Sequence, residues 1–380
     1  MNSSKRGDNV DISFHYFAVK TLSCLAGFSD SDAQIIAEYS QFVDDYNWHD
    51  RQICLNIPTY ARESNLDLVN GLTFVIFNPA TTGFSALDYS QFTLFDSQKY
   101  ILHPFHFIPR DSAHVSKGDR RAYPATISDG SYISNLLAEA RNEFQKEENQ
   151  SGDNRKYCLM HIGMLLHTFA DTYAHQLFTG YFGWENNVIL DQVINNITKK
   201  DETLEYQKDI VMWSTRTIDK ISPNMPMVSH MMIKNVPDLA HVSFTMKYQI
   251  SQGLYSTHTR NNTEVFVNKT SREILNYLRS CLKSKEITNT EWDLIAKKMS
   301  DSFLIDISKL VTEAEKVSTL TAHWGVIWSL SYPNYQYAYS SNEIKKRFKP
   351  NIIFRSHDFY KYNVFADKRL VALFGPRPRK

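Results

Sequence analysis

The segment from Cys158 to Gly180, CLMHIGMLLHTFADTYAHQLFTG, limits the fold of this chain more than any other stretch. It carries His167, Asp171 and His175 at a spacing of i, i+4, i+8. On an α-helix each step of four residues rotates by only about 40°, so all three project from one stripe over roughly 12 Å. The filler residues Met160, Met164, Leu165, Leu166, Phe169, Ala170 and Ala174 suit a helix, and none is proline. Gly163 and Ala170 are small enough to let a neighbouring helix pack close. A helix this apolar is buried, and an unpaired Asp171 on it costs several kcal/mol. A cation beside the carboxylate removes that cost, and imidazole plus carboxylate is a donor set for zinc and similar divalent ions. A further histidine, His161, lies upstream. The competing reading is a buried His–Asp pair that only ties two helices together.

The remaining blocks show what such a helix can pack against. Phe14, Phe17, Ala18, Leu22 and Leu25 predict a first helix over 13–26, with His15 near its start and Gly27 as its stop. Ser29 to Ser31 offer an N-cap for a second helix over 33–46, with Ile36, Tyr39 and Val43 inward. Asp44 and Asp45 close that helix. Two carboxylates at a helix C-terminus oppose its dipole, which is poor capping but reasonable for a metal ligand. Residues 50–130 change character, with a candidate strand over 72–77 and loops with short strands from 81 to 102. That stretch ends in HPFHFIP, where flanking prolines fix the backbone and favour His106 as a ligand. His103 and His114 are expected to face water. An amphipathic helix is predicted over 132–145, and further helices over 201–221, 262–283 (capped by Asn262), 290–311 and 357–375. His230, Asp238 and His241 fall in an irregular segment between prolines and the later helices. Trp324, Val326, Ile327 and Trp328 are assigned to the core.

The chain has 380 residues, 42% of them hydrophobic, so a sizeable core is available. The expected organisation is one mainly helical domain over 13–375, with 50–130 as its irregular covering segment, an arm at 1–12 and a solvated tail at 376–380. A net charge of +1 gives no electrostatic case for nucleic acid. The four cysteines form no CxxC pair, which excludes a zinc ribbon or a dithiol redox motif. The N-terminal residues lack the apolar region of a secretory signal, and no apolar run reaches the roughly 18 residues of a membrane span. The expectation is synthesis in the cytosol, then residence there or export by a signal-independent route.

LHTFADTYAH resembles the LHxxxDxxxH segment of the zinc-dependent phospholipase C and P1 nuclease superfamily. More closely, the chain resembles bacterial and fungal zinc metallophospholipases C. Supporting blocks in the same order are FHYFAVKTL (14–22), SQFVDD (40–45), PFHFIP (104–109), PMVSHMMIKNVPD (226–238) and HDFYKYNVFADKRLVALFG (357–375). The resemblance implies a mainly α, multi-helix phospholipase C-like bundle and two or three Zn2+ ions. Asp44, His106, His167 and Asp171 would hold one ion. Asp171 would bridge to a second ion bound by His15, and His175, His230 and Asp238 would hold a third. Asp44 would also act as general base. Two departures stand out. No N-terminal tryptophan precedes His15, leaving Asp11 as one substitute ligand. Asp238 lies eight residues after His230 rather than four, and His241 competes with it.

The implied activity is hydrolysis of a glycerophospholipid such as phosphatidylcholine to diacylglycerol and a phosphorylated head group, with substrate met at a membrane surface. Tyr46, Trp48, Tyr173, Phe182 and Trp184 are candidate aromatic faces for a cationic head group. The alternatives are a nuclease or phosphomonoesterase on the same site, or a metal-stabilised binding protein without turnover.

Overall fold

A computed structural model describes residues 12–47, 52–55, 66–68, 74–77, 80–83, 98–207, 228–251, 253–329, 336–348 and 357–375. The architecture is mainly α. In chain order, the helices of seven residues or more outside π-turns are α1 (Val19–Ala26), α2 (Asp30–Asp45), α3 (Tyr132–Phe144), α4 (Gly152–Ala174), α5 (Arg272–Cys281), α6 (Asn289–Phe303), α7 (Glu313–Trp328), α8 (Ser341–Arg347) and α9 (His357–Phe374). Two three-stranded antiparallel sheets accompany them. One orders β1 (Gln52–Leu55), β3 (Phe74–Phe77) and β2 (Leu66–Leu68). The other is a meander of β4 (Val188–Asn195), β5 (Val242–Ser251) and β6 (Leu254–Asn261). The 203–207 stretch is helical, while the rest of the helix expected over 201–221, most of 81–102, and Asp11 and Trp48 lie outside the described residues.

The central helix α4 is buried along nearly its whole length, from Tyr157 to Ala174. Against it lies α2, whose Ile36, Tyr39 and Val43 face inward as expected. Contact between the two is backbone to backbone at Gly163. A Cβ built there would sit 2.2 Å from the Ile36 carbonyl oxygen and 3.1 Å from the Ser40 nitrogen. Any larger residue therefore forces the helices apart. The start of α2 is set by Ser29, whose hydroxyl accepts from the Asp32 N–H, and α1 ends at Gly27 with φ 107°. Ahead of α1 runs a π-helical turn, Ser13–Ala18, which carries His15. Such widened turns recur where a helix must aim a side chain at a site. Ile12 is already buried, so the N-terminal arm ends one residue earlier than expected.

Among the described residues, two apolar clusters form the core. The larger joins α1 through α9. The smaller lies under β4 and β5 and takes in Phe107, Leu177, Phe178, Val228, Ile233 and Leu239. Three segments pass from one cluster to the other, at Phe105 to Phe107, Ala174 to Leu177, and Leu239 to Ala240. His106, His175 and Asp238 sit at or beside these crossings, so the seam between the clusters is where polar side chains gather.

Three expectations need correction. Asn261, not Asn262, caps the helical run after β6, because its side chain accepts from the Glu264 N–H while Asn262 points into the interior. That run passes through a π-turn over Val265–Ser271 before α5. On α7, Trp324 and Trp328 are core but Val326 is 77% exposed, because residues two apart on a helix face opposite ways. On α9, Val371 is exposed while Leu370, about 100° round the helix from it, is buried.

Gly163→Ala is expected to lower unfolding stability by about 2–3 kcal/mol, since neither backbone can yield without moving a helix. Urea denaturation of the two proteins measures this, and an unchanged midpoint would contradict the close packing.

Candidate metal centre

All eight residues singled out in the sequence meet along the seam. From α4 come His167 and Asp171, with His175 just past its end, hydrogen-bonded through its N–H to the Asp171 carbonyl at 2.8 Å. The π-turn before α1 delivers His15, the last turn of α2 delivers Asp44, and the helical turn His103–Phe105 delivers His106. Two 3-10 turns, Met231–Ile233 and Val236–Asp238, deliver His230 and Asp238. Three groupings of ligand atoms result: His15 with His167 and Asp171; Asp44 with His106 and His167; His175 with His230 and Asp238.

The geometry is that of ligands around ions. His106 Nδ1, His167 Nε2 and Asp171 Oδ2 form a triangle with every edge 3.2 Å. Asp44 Oδ1 stands 3.7 Å from both of those nitrogens. Ligands about 2.0–2.2 Å from one tetrahedral ion are about 3.3–3.6 Å from each other. On the far side of Asp171, His15 Nε2 lies 3.2 Å from Oδ1, yet both atoms are buried without a hydrogen bond. Asp238 Oδ1 stands 3.2 Å from His175 Nε2, and its Oδ2 stands 3.4 Å from His230 Nε2. His175 also reaches Asp171, Nδ1 to Oδ2 at 3.7 Å, linking the two halves.

Main-chain carbonyls set the imidazole tautomers. His106 Nε2–H donates to the Thr82 carbonyl at 2.8 Å, His175 Nδ1–H to the His106 carbonyl at 2.8 Å, and His230 Nδ1–H to the Lys234 carbonyl at 2.5 Å. A carbonyl only accepts, so the N–H of each neutral ring is spent there and the other nitrogen turns its lone pair inward. These lone pairs face one another and the carboxylate oxygens. Acceptor facing acceptor is unfavourable unless a proton or a cation lies between them. Burial and the neighbouring His15 hold His167 well below the ordinary imidazole range, which disfavours the proton there. For His175, burial opposes the charged form, but Asp171 and Asp238 outweigh it and push the ring up to about 9, so at this one ring a proton toward Asp238 competes with a cation for the same place. Burial drives Asp44 well above the usual carboxylate range, against the pull of His106. Asp171 shows the reverse. Burial opposes its charge, yet His175, His167 and the other rings hold it well below that range. The donor set therefore fits divalent cations. Because His167 is shared by two groupings, two ions would compete for it.

Several residues with no sequence signature hold these side chains in place. Gly83 lies against the end of α2, where a Cβ would stand 2.2 Å from the Asp44 carbonyl oxygen. The 80–83 segment that supplies the Thr82 carbonyl is fixed by α9. Asn363 accepts from the Ala80 N–H at 2.7 Å, and the Tyr362 hydroxyl pairs with Thr82 Oγ1 at 2.7 Å. Thr168 Oγ1 donates to the Phe105 carbonyl at 2.7 Å and receives Arg369 Nη1 at 2.5 Å, bracing His106 against α4. His230 is framed by Ser229 and Lys234, both left-handed with φ of 55° and 53°, a strained backbone of the kind that collects at functional sites.

Other sequence candidates separate from the centre. His241 Nε2 faces Asp306 at 3.6 Å and belongs to none of the three groupings, so Asp238 is the partner of His230. His161 turns away and stacks on Phe365 at 4.2 Å. Asp45, next to Asp44, instead accepts from the Tyr339 hydroxyl. Tyr46 and Tyr173 are core residues whose hydroxyls engage Asn363 and the Ala125 carbonyl. Trp184 is 37% exposed and stacks under Arg121. His114 is partly exposed and paired with Asp111, but His103 is buried, contrary to the expectation. It packs against Tyr181 and Phe374, because the turn that aims His106 at the site rotates His103 toward α9.

A family model, that of a family of unknown function (DUF6765), matches residues 10–371. No curated protein and no solved structure matches the chain.

Burial, with Arg120 nearby, pushes His103 down to about 3. The unfolded chain takes up a proton near pH 6.5 that the folded ring refuses, so this contribution is complete above pH 6.5 and is lost as pH falls toward 3. His103→Phe is expected to flatten the acid-side loss of stability by up to about 1.4 kcal/mol per pH unit. Unfolding titrations from pH 7.5 to 4 test this, and parallel curves for the two proteins would refute it.

Proposed function

We propose, for a chain that belongs to the DUF6765 family, that the seam is the active centre of a metal-dependent phosphodiester hydrolase of the phospholipase C type. The observation that carries this reading is the set of imidazole lone pairs aimed by main-chain carbonyls at Asp44, Asp171 and Asp238. A structural His–Asp pair needs one such contact. A linked array reaching from His15 to His230 through Asp171 has no use as a helix tie.

The residues that would hold ions are the three groupings around Asp171 and Asp238, and zinc is the ion that the donor chemistry favours. Bound there, divalent cations supply polarisation of a phosphoryl oxygen and a water of lowered pKa. Asp171 would serve neighbouring cations in common, since His15 lies at one of its oxygens and His106, His167 and His175 lie toward the other. Asp44 is assigned the general base, since its desolvated carboxyl readily takes a proton and Gln41 Nε2 steadies its Oδ2 at 3.3 Å.

A glycerophospholipid substrate, cleaved to diacylglycerol and a phosphorylated head group, is supported by the similarity of the metal-ligand blocks to zinc metallophospholipases C. The charge balance of 42 basic against 41 acidic residues disfavours a polyanion such as nucleic acid. No helix of the described residues is long and apolar enough to cross a membrane, so lipid would be met from the aqueous side.

Metal-loaded protein is expected to hydrolyse phosphatidylcholine in mixed micelles, to stop on chelation and to recover with Zn2+. Asp171→Ala is expected to lose both bound metal and about 100-fold or more of the rate. Full activity in that variant would remove the proposal. Turnover of single-stranded nucleic acid or a phosphomonoester in place of lipid would keep the metal chemistry and replace the substrate.

A further inference from the structure

Arg260, at the end of β6, is 4% exposed and, among the described residues, engages no carboxylate by hydrogen bond. Its four hydrogen bonds all go to carbonyl oxygens. Nη1 donates to Tyr173 at 2.6 Å and Ala174 at 3.0 Å, Nη2 to Pro237 at 2.6 Å, and Nε to the side chain of Asn262 at 2.6 Å. Asn262 in turn donates to the carbonyls of Val236 at 2.9 Å and Leu239 at 2.8 Å. Thr263 adds a bond to the Ala240 carbonyl at 2.6 Å.

These acceptors fall in two places. Tyr173 and Ala174 are the last residues of α4, immediately before His175. Val236, Pro237 and Leu239 surround Asp238. A positive guanidinium suits the electronegative end of a helix. Only a planar fork reaches both groups of carbonyls at once, which a lysine cannot do. Burying such a charge without a hydrogen-bonded carboxylate is costly, and the stacking of the guanidinium on Phe244, 5.0 Å from the ring centroid, together with the nearby Asp238 charge, offsets part of that cost.

We propose that Arg260 and Asn262 are positioning residues that lock the end of α4 to the Asp238 turn, so that His175, Asp238 and His230 form a site for their own divalent cation. This inference rests on the metal-centre reading above and adds which residues govern one site independently of the others.

The test is competitive chelator titration of full-length wild type, Arg260→Lys and Asn262→Ala with Zn2+ alone, alongside urea unfolding of each metal-free protein. One class of bound ion is expected to weaken about 10–100-fold in both variants while the remaining ions keep wild-type affinity. Uniform weakening of all ions in step with lost stability would show a merely structural arginine and overturn the assignment, as would unchanged binding. Should wild type bind no metal at all, the metal-centre reading falls with it. Should wild type bind fully and the variants do likewise, the clamp alone is wrong. Asn262→Ala keeps the test decisive if the arginine variant does not fold.

Discussion

Everything in the molecule answers to one buried charge. The Asp171 carboxylate is fully enclosed midway along the seam, and rings from positions 15, 106, 167 and 175 converge on its two oxygens. An isolated carboxylate in such surroundings would not stay ionised. Its neighbours are themselves buried, and several have already given their one N–H to a peptide carbonyl. The charge is thus compensated by groups that cannot all be protonated together. The helices are arranged to make this convergence possible. Gly163 lets α2 lie against α4 so that Asp44 arrives, the π-turn before α1 brings His15, and α9 holds the 80–83 segment against His106.

The ridge itself was legible in the sequence because helical geometry alone fixes it: four-residue steps on an apolar helix leave no choice of face. Asp44 and His106 were also legible, one as an acidic residue where a helix dipole discourages it, the other as a histidine held between prolines. His103 was misjudged because its fate depends on which way a single turn rotates and on Tyr181 and Phe374, remote in sequence. Val326 failed for a related reason, since a run of apolar residues does not say which of them faces in.

Other parts left no trace. Thr82, Asn363, Thr168 and Arg369 hold His106 through polar bonds spanning dozens to hundreds of residues, and none belongs to a recognisable pattern. Asn262 looked like a cap and is instead a spacer between turns, because the preceding asparagine takes the capping role. The choice between Asp238 and His241 also needed three dimensions. The turn at Val236–Asp238 points the carboxylate at His230, while His241 faces Asp306.

The three acceptors that orient His106, His175 and His230 are peptide oxygens, at residues 82, 106 and 234. Every amino acid supplies that oxygen. Replacing threonine 82 or lysine 234 changes the side chain and leaves the orienting group intact, provided the chain keeps its path. The direction in which each ring looks is therefore inherited from the path of the backbone. Side chains at those two positions matter only through that path: Thr82 Oγ1 holds its segment to Tyr362 and the Val43 carbonyl, and position 234 must tolerate a φ of 53°. A shift of backbone by a single residue in either segment would turn the rings away.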